Sequence, residues 1–182
     1  MQLQVIKKDG TAEQYMHTKV LGTFNNALDD AGRTNIVAAE QFAEAVTFHL
    51  YHNIETPTIK SEDIHRLVVT VLKDTNYPDA ASALNEHRLC RSVKRQRIEI
   101  NSGSNSDDAS RMTLWNKSRI AKKLIERHHM NGSLARAVAS GVEEKIMNLN
   151  MRCIDHNLVK QLVIAETEIL VKAQKQLEPA SV

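Results

Sequence analysis

The chain has 182 residues, of which 42% are hydrophobic and 4% aromatic, enough for one medium domain or two small ones that each bury a modest core. It contains no run of about eighteen apolar residues, and its first residues, MQLQVIKKDG, form no hydrophobic signal core, so we predict a cytoplasmic protein without a membrane span. The two cysteines, Cys90 and Cys153, have no partner at metal-ligand spacing, which argues against a zinc ribbon, a disulfide framework or another metal site.

The net charge of +2 is distributed unevenly along the chain. Lys and Arg number seven against twelve Asp and Glu in residues 1–87, five against one in residues 88–100, and twelve against nine in residues 101–182. The basic stretch 88–100 could contact nucleic-acid phosphates, but it has no interleaved aromatic residue and no helix-turn-helix glycine. We therefore interpret it as a solvated helix end or one side of a ligand pocket.

The first predicted element is a β-hairpin. Residues 3–6 alternate like a strand, Asp9-Gly10 supplies the positive φ of a tight turn, and residues 12–16 form the second strand. A helix follows, with Thr18 as its N-cap and Gly32 in the left-handed position after its end. Its apolar stripe consists of Val20, Leu21, Phe24 and Leu28.

Three more helices are predicted in the first half. The second runs from about Ala38 to His52, and the third is opened by Ser61 as N-cap. Between them, the residues around Pro57 are extended, since the residue before a proline avoids the helical region, and they form either a third strand or a connecting loop. A fourth helix runs from the turn at Pro78 toward Arg97.

The second half repeats this order in shortened form. Residues 101–112 are mostly small and polar, which predicts a flexible linker and a domain boundary. Beyond it, a domain over residues 113–182 is predicted with a helix after Trp115 and Asn116, a helix from Leu134 to Met147, an extended step, and a helix capped by Asp155. The Asp-Gly turn and the paired lysines are missing there, so we predict a helical repeat that lacks the hairpin. Trp115 is interpreted as a core residue, and Lys117 and Arg119 as exposed.

Several motifs of the first half resemble the ATP-cone domain. They are Val5-Ile6-Lys7-Lys8-Asp9-Gly10, Glu13, Lys19, Ile59-Lys60-Ser61-Glu62-Asp63-Ile64 and the helix over residues 83–88. This module is found at the N-terminus of ribonucleotide reductases and in the bacterial repressors of their genes. The resemblance covers roughly residues 3–95 and implies a domain over residues 1–100. It implies a mainly α (α+β) fold: a four-helix bundle capped by a small hairpin or three-stranded sheet, followed here by a second, mostly helical bundle.

The resemblance also implies a site for ATP or dATP, with or without Mg2+. Lys7 and Lys19 would contact phosphates, and Glu13 would face the nucleoside. Ser61, where the family often has threonine, would lie on the phosphate side. This agrees with the need of a triphosphate for several cations from different elements. Further positive charge would come from Lys8 and Arg88, whereas Met16 departs from the polar residue that family members often have.

No nucleophile elbow, carboxylate pair or metal cluster can be read from the spacing, so we predict a protein that is not an enzyme. The expected function is regulatory: ATP or dATP occupancy changes packing or oligomeric state, linked to ribonucleotide reductase or deoxynucleotide metabolism. Two alternatives stay open, a DNA-binding regulator related to the reductase repressors and a helical interaction module without ligand. Since no CxxC pair precedes the hairpin, we do not expect nucleic acid as a partner. The resemblance implies a purine nucleotide together with a protein partner, ribonucleotide reductase, or self-association. No membrane partner is expected, because no apolar run is long enough to span a bilayer.

Overall fold

The structure, a computed structural model, is described for residues 3–54, 56–103 and 112–177. The chain divides into two compact units, Met1–Cys90 (unit 1) and Arg91–Val182 (unit 2). None of the helices in the described ranges combines the length and the hydrophobicity that a bilayer crossing requires.

Unit 1 is a helical bundle with a three-stranded sheet. Its elements are β1 (Gln4–Ile6), β2 (Ala12–Gln14), α1 (His17–Asp30), α2 (Ile36–His52), β3 (Thr58–Lys60), α3 (Ser61–Asp74) and α4 (Pro78–Arg97). The last of these, α4, begins in unit 1 and continues past Cys90 into unit 2. The strand order is β2-β1-β3, with β1 antiparallel to β2 and parallel to β3. The residues after Pro57 therefore form a third strand and not a loop.

The hairpin closes through the turn that the sequence predicts. Gly10 has φ +79°, a conformation that glycine adopts without steric cost, and the Asp9 carboxylate accepts hydrogen bonds from the N–H and hydroxyl groups of Thr11. The Lys7 N–H donates to the Thr11 carbonyl at 2.8 Å. In this register Val5 lies opposite Glu13. The turn thus brings Lys7, which follows β1, next to Glu13 at the centre of β2.

The core of unit 1 comes from one apolar stripe on each of the first three helices, as the 3.6-residue periodicity predicts. Its most deeply buried large side chains are Phe24, Leu28, Val46, Leu50, Val68 and Leu72. Aromatic contacts extend it at the edge, where the Phe42 ring lies 5.5 Å from that of Phe24 and 5.7 Å from that of Tyr77. The prediction of a mainly α (α+β) fold is confirmed.

Two predicted helix caps are wrong, both because a strand leads almost directly into the helix. α1 begins at His17, so Thr18 lies inside its first turn, and the N-cap position is taken by Met16 without a side-chain bond. α3 begins at Ser61 itself, and its N-cap residue is Lys60, the last residue of β3. The left-handed Gly32 after α1 is confirmed, with φ +66°.

Unit 2 contains its own three-stranded sheet. Its elements after the end of α4 are β4 (Glu99–Asn101), β5 (Met112–Leu114), α5 (Lys117–His128), α6 (Gly132–Asn148), β6 (Cys153–Asp155) and α7 (His156–Leu177). The strand order β5-β4-β6, antiparallel then parallel, is that of unit 1. The Asn116 side chain caps α5, and Trp115 is buried in the core, as predicted for that tryptophan.

The prediction that the second domain lacks a hairpin is therefore wrong. The predicted domain boundary at residues 101–112 is wrong as well. Asn101 pairs with Met112, so this stretch connects two antiparallel strands of one sheet, and the division between the units falls at Cys90. The strands of both hairpins are three residues long, but the sequence between β4 and β5 has no Asp-Gly dipeptide, which was the signal that identified the first hairpin. Residues 104–111, on which most of the predicted flexible linker falls, lie outside the described residues.

Backbone hydrogen bonds show which positions of the two units correspond. The Tyr15 N–H donates to the Leu3 carbonyl at 2.9 Å, and the Trp115 N–H donates to the Ile98 carbonyl at 2.9 Å. Each aromatic residue lies two positions before the first residue of a helix, His17 or Lys117. The repeat predicted from the helices thus extends to the sheets.

Because the apolar stripe of α3 is buried, shortening one of its side chains should strongly lower the stability of the protein. Leu72→Ala should lower the free energy of unfolding by about 3 kcal/mol, because Leu72 is fully buried and its loss leaves a cavity. The control Leu89→Ala, at a position that is 64% exposed on α4, should change it by less than about 0.5 kcal/mol. Urea unfolding followed by circular dichroism measures both, and equal effects would contradict this assignment of the core.

Candidate functional site

A cleft of about 150 Å³ opens in unit 1 where β1, β2, α1 and α3 meet. Four of the residues predicted to bind a nucleotide line it: Lys7, Glu13, Lys19 and Ser61. Each comes from a different element or its edge, so only folding brings them together. The half-buried Met16 side chain also lines the cleft.

The centre of the cleft is a carboxylate held between two ammonium groups. Lys7 Nζ lies 2.9 Å from Glu13 Oε1, and Lys19 Nζ lies 2.6 Å from Glu13 Oε2. The Glu13 side chain is 13% exposed, whereas those of Lys7 and Lys19 are 35% and 48% exposed. The anion is thus on the protein side and the cations reach solvent.

The strand register explains this arrangement. Glu13 lies opposite Val5 in the β1–β2 ladder, and side chains two residues apart on a strand share a face, so Lys7 extends on the face that Glu13 occupies. Lys19 lies in the first turn of α1, where its N–H donates to the Met16 carbonyl at 3.1 Å. Burial raises the pKa of Glu13, but hydrogen bonds from Lys19 and Lys7 outweigh burial and lower that pKa below its ordinary value. The carboxylate therefore stays charged at neutral pH.

Ser61 adds neutral donors to the cleft. It is the first residue of α3, whose N-terminus has no side-chain cap. The first N–H groups of an uncapped helix, together with the helix dipole, favour an anion at that end, where Glu62 and Asp63 already place two carboxylates in the first turn. The Ser61 side chain lines the same cleft as the two lysines.

Two other predicted residues, Lys8 and Arg88, do not line the cleft. Lys8 is exposed next to the hairpin turn. Arg88, on α4, pairs with Glu62 at 3.6 Å, one residue beyond Ser61. Their positive charge can act on the cleft only from its surroundings.

The corresponding positions in unit 2 carry different chemistry. Thr113 lies opposite Ile100 as Glu13 lies opposite Val5. Arg119 takes the place of Lys19 in the first turn of its helix, and its N–H donates to the Asn116 carbonyl. With threonine in place of the carboxylate, the lysine–glutamate–lysine arrangement of unit 1 is not repeated.

Unit 2 instead has a charged cluster that the sequence did not reveal. The Glu143 side chain, on α6, is 0% exposed and accepts hydrogen bonds from Arg95 Nε and Nη2, both at 2.8 Å. Arg91 Nη2 lies 3.0 Å, Lys117 Nζ 3.2 Å and Trp115 Nε1 3.2 Å from its oxygens. These five residues are the Glu143 cluster.

The cluster corrects two interpretations of the sequence. Arg91 and Arg95 contact a buried carboxylate, so their part of the basic stretch is not a solvated helix end, and Lys117 is paired rather than merely exposed. The only signal was Glu143 itself, a charged residue within the apolar stripe of α6 between Ala139 and Ile146. A charge on a buried face requires partners, but the sequence does not say which residues supply them.

Electrostatics keep Glu143 ionised. Burial raises its pKa, but the hydrogen bonds from Arg95 and the positive charges of Lys117 and Arg95 outweigh burial and lower that pKa to about 2. Burial also lowers the pKa of Lys117, which Glu143 opposes and the charges of Arg95 and Arg91 reinforce. In the described ranges, no group of three or more His, Cys, Asp or Glu side chains could hold a metal ion.

Part of the chain is similar to a known protein family. The family model described as the ATP cone domain matches residues 3–92, which include the whole cleft of unit 1. No curated protein matches the chain.

The low pKa of Glu143 predicts a pH-dependent stability. Because the folded pKa of about 2 lies below the unfolded value of 4.5, the ionised carboxylate contributes about 3 kcal/mol above pH 4.5, and this contribution is lost as the pH falls toward 2. Glu143→Gln should therefore lower the free energy of unfolding at pH 7, and its difference from wild type should shrink toward pH 2. Urea unfolding at several pH values measures this.

The neighbouring exposed residue Glu144 provides the matched control. Glu144→Gln removes the same charge one position along α6 and should leave the pH dependence of the wild type unchanged. If the free energy of unfolding depended on pH in the same way in Glu143→Gln and Glu144→Gln, the fold would not specifically stabilise the ionised Glu143 carboxylate.

Proposed function

We propose that residues 3–92, which match the ATP cone domain, a nucleotide-binding allosteric regulatory module, bind ATP or dATP in the cleft of unit 1. Binding changes the packing or oligomeric state of the protein. In this proposal the chain acts by binding and not by catalysis. Its partner is ribonucleotide reductase, another enzyme of deoxynucleotide metabolism, or a second copy of the chain, in the cytoplasm.

The observation that carries the proposal is the ion-pair arrangement Lys7–Glu13–Lys19 in the cleft. An ammonium group has three N–H donors, and one of them suffices for Glu13, so each lysine keeps donors for a phosphate oxygen. The two lysines against one carboxylate leave a net charge of about +1, which favours an anion. Because the lysines are already fixed by Glu13, phosphate binding does not require them to be ordered first.

The remaining groups fit the other parts of a nucleotide. Ser61 and the N-terminus of α3 offer neutral donors to a phosphate, as helix N-termini do in other phosphate sites. The Glu13 side chain is 13% exposed, and its carboxylate oxygens are acceptors of the kind that the hydroxyl groups of a sugar require. Mg2+, if it takes part, would arrive with the triphosphate oxygens, since the described residues hold no preformed metal cluster.

Regulation would follow from differential affinity. A nucleotide that binds one assembly state more tightly than another shifts the equilibrium toward that state by the ratio of the two affinities. Unit 1 exposes several large apolar side chains that a partner could cover: Ile36, Val37, Phe48 and Leu89 are 62–68% exposed. Sedimentation velocity with and without ATP or dATP should therefore show a nucleotide-dependent change in mass, alone or with the reductase.

The cleft lysines provide the direct test. Lys7→Ala and Lys19→Ala should each weaken ATP and dATP binding by about tenfold or more, because each removes a charge-assisted hydrogen bond to phosphate. Isothermal titration calorimetry on the full chain measures this. The two substitutions together should weaken binding further.

The adjacent lysine gives the control. Lys8→Ala removes the same charge next to Lys7, but from an exposed side chain outside the cleft, and should change affinity by no more than about threefold. Equal losses for Lys7→Ala and Lys8→Ala would mean that only the overall charge matters. Unchanged affinity in the Lys7→Ala/Lys19→Ala double variant would reject the cleft as the binding site.

A further inference from the structure

We propose that unit 2 has an anion site of its own, in which Arg91, Arg95 and Lys117 bind a phosphate group of a small phosphorylated molecule while Glu143 holds the three side chains in place. The proposal rests on the Glu143 cluster and does not depend on nucleotide binding in unit 1. The ligand is defined by the phosphate group that it carries.

The first argument is the number of hydrogen-bond donors. The carboxylate of Glu143 offers about four lone-pair positions, and it already receives two N–H groups from Arg95 and one each from Arg91, Lys117 and Trp115. Two guanidinium groups and one ammonium carry about thirteen N–H groups in total, so most of them find their acceptor in water or in a bound anion and not in Glu143. Arg91 Nε is buried without any hydrogen-bond partner among the described residues. The cluster therefore has more donors than Glu143 can satisfy.

The second argument is charge. Arg91, Arg95 and Lys117 all lie within 3.2 Å of a single oxygen, Oε2 of Glu143. In the described part of the chain, no second carboxylate pairs with any of them, which leaves an excess of two positive charges. Cations held this close repel one another, and a bound anion would relieve that repulsion.

The third argument is access. The side chains of Arg91, Arg95 and Lys117 are 36%, 41% and 38% exposed, whereas Glu143 is fully buried. The cations thus reach solvent and the carboxylate does not. This is the same division as in the cleft of unit 1, where Glu13 lies on the protein side of two half-exposed lysines.

Unit 1 shows that the fold does not require such charges. Thr47 of α2 and Glu143 of α6 each lie eleven residues after the first residue of their helices. In unit 1 the Thr47 hydroxyl lies 2.7 Å from Tyr15 Oη and 2.9 Å from His17 Nδ1, a small set without a carboxylate.

In unit 2 the corresponding positions carry Trp115, Lys117 and Glu143. A buried carboxylate loses its hydration, so pairing it with cations is often no more stable than a neutral set of similar size. Because unit 1 forms the same fold with a neutral set, stability alone does not explain why unit 2 carries these charges. Binding of an anionic ligand explains them.

The geometry also indicates the class of ligand. Guanidinium groups match the oxygens of phosphate, whereas the Trp115 ring is 7% exposed and its N–H is taken by Glu143, so no aromatic surface is offered to a base. The three cations converge on one point, while those that follow a nucleic-acid backbone are spread along a surface. We therefore assign a single phosphate or polyphosphate group of a small molecule.

The test uses the full chain and its only tryptophan, Trp115, whose indole N–H resonance reports on the cluster. Inorganic tripolyphosphate is titrated into the Lys7→Ala/Lys19→Ala double variant, which removes the lysines of the unit 1 cleft, and into wild type. Both should show the same saturable shift of the indole resonance. No saturable shift up to about 10 mM would overturn the proposal.

Single substitutions in the double-variant background locate the site. Arg91→Gln should weaken tripolyphosphate binding by about tenfold or more, because it removes a guanidinium that makes one bond to Glu143. Lys94→Gln, an exposed residue on the same helix without a partner in the cluster, should change it by less than about threefold. If Arg91→Gln does not fold by circular dichroism, Lys117→Gln takes its place with the same expected loss.

The other outcomes contradict the proposal in distinguishable ways. Equal losses for Arg91→Gln and Lys94→Gln would indicate attraction by the overall charge. Binding that is present in wild type but absent from the double variant would place the anion in unit 1. That result would contradict the site in unit 2 but not the proposed nucleotide site in unit 1. A shift with duplex DNA but none with tripolyphosphate would show that the cluster contacts a nucleic-acid backbone instead of a small anion.

Discussion

The candidate site in unit 1 depends on one interaction, the two ion pairs of Glu13. Without this carboxylate, the ammonium groups of Lys7 and Lys19 would repel each other across the cleft and turn toward solvent. With it, each lysine is fixed on a separate oxygen, at 2.9 Å and 2.6 Å. Glu13 therefore links the hairpin to the start of α1 before any ligand arrives, which in the proposed function reduces the entropy that phosphate binding must cost.

The Glu143 cluster applies the same principle with different residues. In each unit a carboxylate on the protein side fixes cations that remain partly exposed. The carboxylate lies on a strand in unit 1 and on a helix in unit 2, because the equivalent of Glu13 is Thr113 and the equivalent of Glu143 is Thr47. A repeated backbone thus supports two charged surfaces of different composition.

The sequence predicts those features of the fold whose signals are local. Asp9-Gly10 identifies the first hairpin, and the apolar stripes identify the helices, because both depend on residues close together in the chain. The second hairpin was missed because no Asp-Gly dipeptide lies in the sequence between its strands, which are as short as those of the first hairpin. The caps at Thr18 and Ser61 were wrong for a tertiary reason: strand pairing continues up to the helix and leaves no separate capping residue. The Glu143 cluster joins α4, α5 and α6, so only the folded structure reveals it.

The two units also differ in what their charges can recognise. In unit 1 the excess charge is about +1, and the carboxylate is 13% exposed, so it can contact a sugar hydroxyl beside the phosphates. In unit 2 the excess is about +2 and the carboxylate is fully covered, so only the cations meet solvent. A site of the first kind can distinguish a nucleoside, because it offers both donors and an acceptor. A site of the second kind offers donors alone and therefore selects for negative charge and phosphate geometry rather than for a base or sugar.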